Sequence, residues 1–169
     1  LYLLLFRGKM SDLYHNTEFR VYLFTVLGFT LSITVGLLAQ GDMGIEKAFR
    51  LSIFQVVSMQ TTTGFATTDY MQWAPYLWML VSFVMFFGAC GGSSTGAMKC
   101  GRVAILAKSL RGEFRRVLHP NAVIPVRMDG NAISSTTQAT VLTFSCLYFL
   151  LIFMGWFLFM IMGLDFIEA

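Results

Sequence analysis

The feature that most constrains this chain is an apolar segment too short to cross a membrane, followed at once by a threonine-rich loop. The segment covers 48–59, and the loop, 60–69, reads Gln-Thr-Thr-Thr-Gly-Phe-Ala-Thr-Thr-Asp. A spanning helix needs about 20 apolar residues, and roughly 10–14 are typical of a buried or re-entrant segment. Non-helical backbone is tolerated at membrane depth only where protein buries it or where it lines a watery cavity. The sequence therefore predicts a half-helix that ends at a loop offering carbonyls to a cation.

Composition and long apolar runs indicate a membrane protein. Of the 169 residues, 56% are hydrophobic and 12% are charged, whereas about 25% are charged in a soluble domain. Apolar runs over 19–39 and 139–162 predict spanning helices. Trp73, Tyr76 and Trp78 predict an aromatic belt at the membrane interface. The cysteines Cys90, Cys100 and Cys146 form no CxxC pair, so they predict small buried side chains rather than a zinc or disulfide framework.

The fold class that follows is an all-α membrane protein with a helix–pore-loop–helix repeat of the potassium-channel-like type and a broken second helix. The predicted divisions are a cytoplasmic end over 1–18, a membrane repeat over 19–98, a cytoplasmic connector over 111–135, and the next repeat's first span and pore-helix start over 136–169. Inside the repeat lie a span, a re-entrant pore helix over 45–60 and a filter loop over 61–69. A broken span over 75–110 follows, with helix resuming at Met98. Because the chain starts with Leu1, we expect an excerpt of a longer polypeptide.

Basic residues are concentrated between two membrane-length runs. They are Lys99, Arg102, Lys108, Arg111, Arg115, Arg116 and Arg127. A nucleic-acid patch would carry such charge, but the positive-inside rule accounts for it between spans. With a re-entrant helix the basic segment falls on the same side as Arg7 and Lys9, whereas a full span over 45–65 would place it opposite them. The sequence thus favours a multi-pass protein that contacts lipid and binds no nucleic acid.

The loop after the half-helix has the chemistry of a selectivity filter. A dehydrated potassium ion needs oxygen atoms in place of its hydration shell, and the backbone carbonyls of Thr62, Thr63, Gly64 and Phe65 would supply one strip of them. Gly64 can take left-handed or extended conformations, so that successive carbonyls point the same way. The half-helix would direct its negative C-terminal end at the ion. The alternative is an ordinary Thr/Gly turn between two helices, and these residues leave both open.

A second group of small residues interrupts the broken span and predicts a gate. It consists of Gly88, Gly91, Gly92, Ser93, Ser94, Thr95 and Gly96, with Lys99 at its end. Such a break leaves backbone groups outside helical hydrogen bonds, which is acceptable at a water-filled cavity. The loop would hang below the filter as a movable constriction, with Lys99 available to cap carbonyls or pair with an acidic group. The alternative is a small-residue face for helix packing.

Enzymatic chemistry is not indicated. The segment 92–99 lacks the Gly-Lys-Ser/Thr ending of a phosphate-binding loop. His15 and His119 both fall in polar loops outside the predicted spans, so no intramembrane Ser–His arrangement is expected. The competing function is a non-transporting membrane scaffold or assembly subunit, in which both glycine-rich regions serve helix packing.

Three segments together resemble the TrkH-type potassium uptake proteins of bacteria, whose superfamily includes KtrB and the plant HKT transporters. They are 54–58, 61–70 and 88–99, and His119-Pro120 with 123–126 is similar to the family's cytoplasmic connector. The resemblance implies the third of four repeats in one polypeptide plus the first helix of the fourth. It also implies that Thr62 to Phe65 line the filter and that Gly88 to Ala97 form the gating loop, with fewer glycines here than in many family loops.

The same resemblance implies location, cargo and partners. We expect a protein of the bacterial inner (cytoplasmic) membrane that moves potassium and carries no other cofactor. We also expect the remaining repeats of the parent chain, a homodimer and a cytosolic nucleotide-binding regulatory subunit as partners. The basic loop Arg102–Arg127 is the candidate contact for that subunit.

Overall fold

The computed structural model describes residues 16–41, 43–118 and 125–163. Several predictions fall outside these residues. They concern most of the cytoplasmic end over 1–18, both histidines, the connector segment 119–124 and most of the pore-helix start at the C-terminal end.

Helices dominate the described residues, which confirms the all-α fold class. They are α1 (Thr17–Ala39), α2 (Ile45–Gln60), α3 (Pro75–Val84), α4 (Cys100–Leu118) and α5 (Ser135–Ile161). A 3-10 turn, Tyr70–Gln72, precedes α3, and a short antiparallel hairpin joins β1 (Arg127–Met128) to β2 (Asn131–Ala132). By length and composition, α1 and α5 are able to span a membrane, and α3 is a shorter apolar helix.

Helix starts follow from local capping chemistry. The Asn16 side-chain oxygen accepts hydrogen bonds from the amides of Glu18 (2.9 Å) and Phe19 (3.3 Å), which caps α1. Ser134 accepts from the Thr137 amide at the start of α5 in the same way. Pro75 stands in the first turn of α3, where a missing amide proton costs no helical bond.

The chain divides into one unit up to Ala104 and another from Ile105. The core of the first unit lies where α1, α2, the 3-10 turn and α3 pack together. Its buried members are Ile33, Leu37, Ala48, Leu51, Val56, Met59, Trp73, Leu77, Val81 and Val84. Trp73, one of the aromatic residues predicted at the membrane interface, packs into this core and is only 7% exposed, because the turn before α3 folds its indole inward.

The second unit departs from the predicted connector. We expected α4 to end near residue 110, yet it continues to Leu118, and it begins at Cys100 rather than Met98. The hairpin after it turns at Asp129 and Gly130, whose φ angles are +49° and +84°. Two consecutive positive φ values are typical of the type I′ turn, for which Asp-Gly is a favoured pair. The connector is thus built from a helical extension and a tight hairpin.

Gly36 permits the close approach of α1 and α3. A Cβ atom built at this position would collide with the Leu77 side chain and lie 3.1 Å from a Tyr76 ring carbon. The Tyr76 hydroxyl also donates a hydrogen bond to the Gly36 carbonyl, 3.3 Å away. Small residues are the usual means by which membrane helices approach closely, so this contact sets the α1–α3 spacing.

Substituting Gly36 by Val should therefore lower the thermal midpoint of the full-length parent protein by several degrees, because overpacking costs about 1–3 kcal/mol. The matched control is Gly28→Val on the same helix, where a Cβ meets nothing within 4 Å. Adding Leu77→Ala to Gly36→Val should recover part of the loss. Equal midpoints for the two single variants would contradict the assigned contact.

Candidate functional site

The helix α2 ends in a Schellman motif from which the candidate filter begins. The Thr63 amide donates to the Ser58 carbonyl (2.9 Å), and the Thr62 amide donates to the Met59 carbonyl (3.1 Å). These are the paired bonds of that motif, which places one residue in the left-handed region just beyond the helix. That residue is usually glycine; here it is Thr62, with φ of +56°. The residue that ends the helix in this motif, Thr62, is therefore also the first residue of the candidate filter.

Ser58 holds the next residues of the loop from behind. Its carbonyl also accepts from the Gly64 amide, 3.4 Å away. Its hydroxyl donates to the Phe65 carbonyl at 2.6 Å. A single residue of α2 thus binds Thr63, Gly64 and Phe65, which holds the loop against the end of the helix instead of letting it form another helical turn.

Two threonine side chains brace the same loop. The Thr61 hydroxyl donates to the Val57 carbonyl at 2.8 Å, and its oxygen lies 2.7 Å from the Thr63 hydroxyl oxygen. Because the Thr61 proton is used on Val57, the Thr63 hydroxyl donates to Thr61. The sequence did not indicate Ser58 or this donor order, since both depend on the turn that the backbone takes.

The filter backbone alternates in handedness. Gly64 has φ of +78°, two residues after the left-handed Thr62. The sequence correctly singled out glycine for a left-handed position, but a β-branched residue with positive φ is strained and gave no signal. Within the described parts of the chain, the carbonyls of Thr62, Thr63 and Gly64 accept no hydrogen bond. These three residues and Phe65 are exposed.

Electrostatics at this strip favour a cation. The strip directly follows the C-terminal end of α2, whose last turn contains no basic residue. A helix carries about half a negative charge at that end. Carbonyl oxygens without donors, next to a negative helix end, form an environment suited to a dehydrated monovalent cation.

Buried amides support the end of α2. Gln60 is fully buried and donates to the Thr25 hydroxyl oxygen of α1 at 2.9 Å. The Gln55 side chain is 1% exposed, and neither of its polar atoms has a partner among the described residues. Polar residues inside a short apolar run were the available sequence signal for these positions.

The candidate gate is a closed loop rather than an open break. Phe87 and Met98 form an isolated parallel bridge, in which the Gly88 amide donates to the Met98 carbonyl at 2.8 Å. The Cys100 amide donates to the Ala89 carbonyl at 3.2 Å. A Cβ on Gly88 would lie 2.9 Å from the Ala97 carbonyl oxygen, so only glycine permits this approach. The ends of the interruption are thereby bound together.

Hydroxyl groups fold the loop onto itself. The Ala89 amide donates to the Thr95 hydroxyl oxygen at 3.3 Å, and the Ser93 and Thr95 hydroxyls lie 2.8 Å apart. Gly92 takes φ of +88° at the turn. Ser94 and Gly96 are exposed to solvent. The loop is therefore an ordered turn and not a helix with a small-residue face.

Glu18 holds this loop from the first turn of α1. Its carboxylate accepts a hydrogen bond from the Gly91 amide at 3.0 Å. Side chains at Gly91 or Gly101 would press against the same carboxylate, since an added Cβ at either position would crowd its oxygens. The acidic partner of the loop is thus Glu18, 73 residues away in sequence. The Lys99 side chain forms no ion pair within the described part of the chain.

Comparisons with known proteins identify relatives of this chain. Residues 13–168 match the TrkH family, described as a cation transport protein. The Trk system potassium uptake protein TrkG of Escherichia coli (strain K12) is 30% identical over 99% of this chain and 35% of its own length. TrkH of the same strain is 31% identical over 98% of this chain and 35% of its own length.

A solved structure is similar as well. The crystal structure of the potassium transporter TrkH from Vibrio parahaemolyticus has a TM-score of 0.84 and 30% sequence identity, and it covers 90% of this chain and 33% of that one. The chain therefore spans about a third of the length of the relatives that it matches.

The support from Ser58 can be tested directly. In Ser58→Ala, the Phe65 carbonyl loses its donor, and amide hydrogen exchange of residues 63–65 should accelerate by about threefold to tenfold, as expected for one hydrogen bond. Ser52→Ala is the matched control, because Ser52 is also buried in α2 but bonds only to the Ala48 carbonyl of its own helix. Equal exchange rates at 63–65 in both variants would contradict the assignment.

Proposed function

The chain belongs to the TrkH family of cation transport proteins, and on that basis we propose that it forms one pore repeat and the next repeat's first helix in a potassium uptake protein. The parent protein would be a multi-pass protein of the bacterial cytoplasmic membrane. Potassium would pass down its electrochemical gradient through a ring of carbonyl strips, of which this chain supplies one. Potassium is then cargo, and the proposed mechanism uses no other cofactor.

The observation that carries the proposal is the strip of carbonyls at the end of α2. Thr62, Thr63 and Gly64 offer three carbonyls that no described donor occupies. The Phe65 carbonyl is bound to the Ser58 hydroxyl, but a carbonyl oxygen has two lone pairs, so Phe65 remains the fourth member with its orientation set by Ser58. Four such strips around one axis would replace the hydration shell of the ion.

The loop 88–99 is proposed as the gate of the same pore. A non-helical segment inside a membrane-length span is tolerated where it lines a water-filled cavity. The ion path next to the filter would be that cavity. The bond between Glu18 and the Gly91 amide would hold the loop in one position, and its release would let the loop move. Lys99, at the end of the loop, belongs to the proposed gate as well.

The partners stay predictions from the resemblance. They are the remaining repeats of the parent chain, a second copy of the parent, and a cytosolic nucleotide-binding subunit. Lipid contact is consistent with two helices long and apolar enough to span a membrane.

The filter assignment predicts that Gly64→Asp abolishes potassium uptake. The substitution adds a carboxylate beside the carbonyl strip, which would trap the ion. It also adds a side chain at a φ of +78°, which would strain the loop. The measurement is growth at low external potassium, and rubidium uptake, of a bacterium lacking its own potassium uptake systems and expressing the full-length parent.

Gly28→Ala is the control for this experiment, because its Cβ meets nothing within 4 Å. Wild-type uptake by Gly64→Asp would refute the filter. Failure of a well-expressed wild type to restore growth, with its regulatory subunit supplied, would favour the scaffold function.

The gate assignment predicts that Glu18→Ala raises basal potassium flux through the parent in proteoliposomes. A hydrogen bond to a charged group contributes about 1.5–3 kcal/mol, so its loss should shift the loop equilibrium by about tenfold or more. Glu46→Ala removes an equal charge from an exposed Arg50 pair in the same unit and should leave the flux unchanged. Equal fluxes in the two variants would refute a holding role for Glu18.

A further inference from the structure

A cationic groove in the second unit is separate from the proposed filter and gate. It lies between one face of α4 and β1, with a volume of about 200 Å³. Four of the residues that line it are basic: Lys108, Arg111, Arg115 and Arg127. No acidic residue is among the described residues that line it.

The groove is held together by one hydrogen bond between the helix and the hairpin and by another within the hairpin. The Lys108 ammonium group donates to the Arg127 carbonyl at 2.8 Å, which ties α4 to β1. The Ile133 amide donates to the carbonyl of the buried Val126 at 2.8 Å and closes the hairpin. Arg111 and Arg115, four residues apart on α4, lie on one helix face. The four cations are thus brought together by folding and not only by sequence proximity.

Three of these cations are not neutralised in the described parts of the chain. Arg111, Arg115 and Arg127 have no carboxylate within ion-pair distance there, whereas the neighbouring Arg116 pairs with Glu113 at 2.6 Å. Like charges held together destabilise a fold unless an anion compensates them. Guanidinium groups bind phosphate oxygens through parallel hydrogen bonds. The geometry therefore suits a phosphate group.

We propose that this groove binds the phosphate of an anionic phospholipid, such as phosphatidylglycerol, at the cytoplasmic surface of the membrane. A lipid is favoured over a soluble phosphate because α4 also exposes Leu110, Phe114 and Val117 on a different face. A helix with an apolar face on one side and basic residues on the other is typical of a helix lying at the membrane interface. The groove also lies in a short connector that ends at α5, and the cytoplasmic leaflet is negatively charged.

This inference rests on the membrane placement in the proposed function but not on the filter or the gate. The test measures lipid binding by the full-length parent protein, purified in detergent and stripped of lipid, with native mass spectrometry as the readout. The probes are phosphatidylglycerol, phosphatidylcholine with the same acyl chains, and inorganic phosphate as a competitor. Gly64→Asp, which should stop transport, is expected to bind phosphatidylglycerol like the wild type.

Neighbouring positions on α4 provide a matched pair of variants. Arg115→Gln should weaken phosphatidylglycerol binding by about fivefold, the effect of one cation near an anionic surface, whereas Arg116→Gln should change it less than twofold. Combining Arg115→Gln with Arg111→Gln and Arg127→Gln should weaken binding by about a hundredfold. An unchanged thermal midpoint checks that this triple variant is folded, and phosphatidylcholine should bind weakly to every form.

Three results would overturn the proposal. The first is wild-type lipid binding by the triple variant; if that variant also no longer co-purifies with a cytosolic subunit, the groove is a protein contact. The second is an equal loss in Arg115→Gln and Arg116→Gln. The third is displacement of the lipid by an equal concentration of inorganic phosphate, which would identify a site for small soluble anions.

Discussion

The hydrogen bonds made by Ser58 are the constraint on which the candidate filter depends. Its carbonyl stops α2 by accepting two amides from beyond the helix, and its hydroxyl fixes a carbonyl further along the loop. No described donor reaches the carbonyls of Thr62, Thr63 and Gly64 between these points, so they stay available to a ligand in the proposed filter. The geometry of the loop is therefore set by the helix end, and the short length of α2 fixes where in the membrane that end would lie.

The elements that could be predicted from the sequence are those with a local signal. A short apolar run followed by Thr and Gly indicates the helix Ile45–Gln60 and the loop after it, and adjacent glycines indicate the interruption between α3 and α4. The hairpin had one local signal, Asp129-Gly130, but its two-residue strands are too short to show alternation. The helical run of α4 to Leu118 was missed because its basic residues were interpreted as a loop.

What could not be predicted depends on contacts between distant residues. Glu18 was placed in a polar loop by its neighbours in sequence, and only folding brings its carboxylate to Gly91. Tryptophan is common at membrane interfaces, yet the turn before α3 places Trp73 in the core. Thr62 takes a backbone conformation that its own side chain disfavours, because the Schellman bonds of α2 require it. In each case tertiary structure overrode a local preference.

The bridge between Phe87 and Met98 has a mechanical consequence. Because the two ends of the interruption are hydrogen-bonded to each other, they are held side by side, and the residues between them form a side loop. Such a loop can change its length or shape without altering the register of the helices on either side. The interrupted span would then keep its depth in the bilayer while the loop proposed as the gate changes its shape independently.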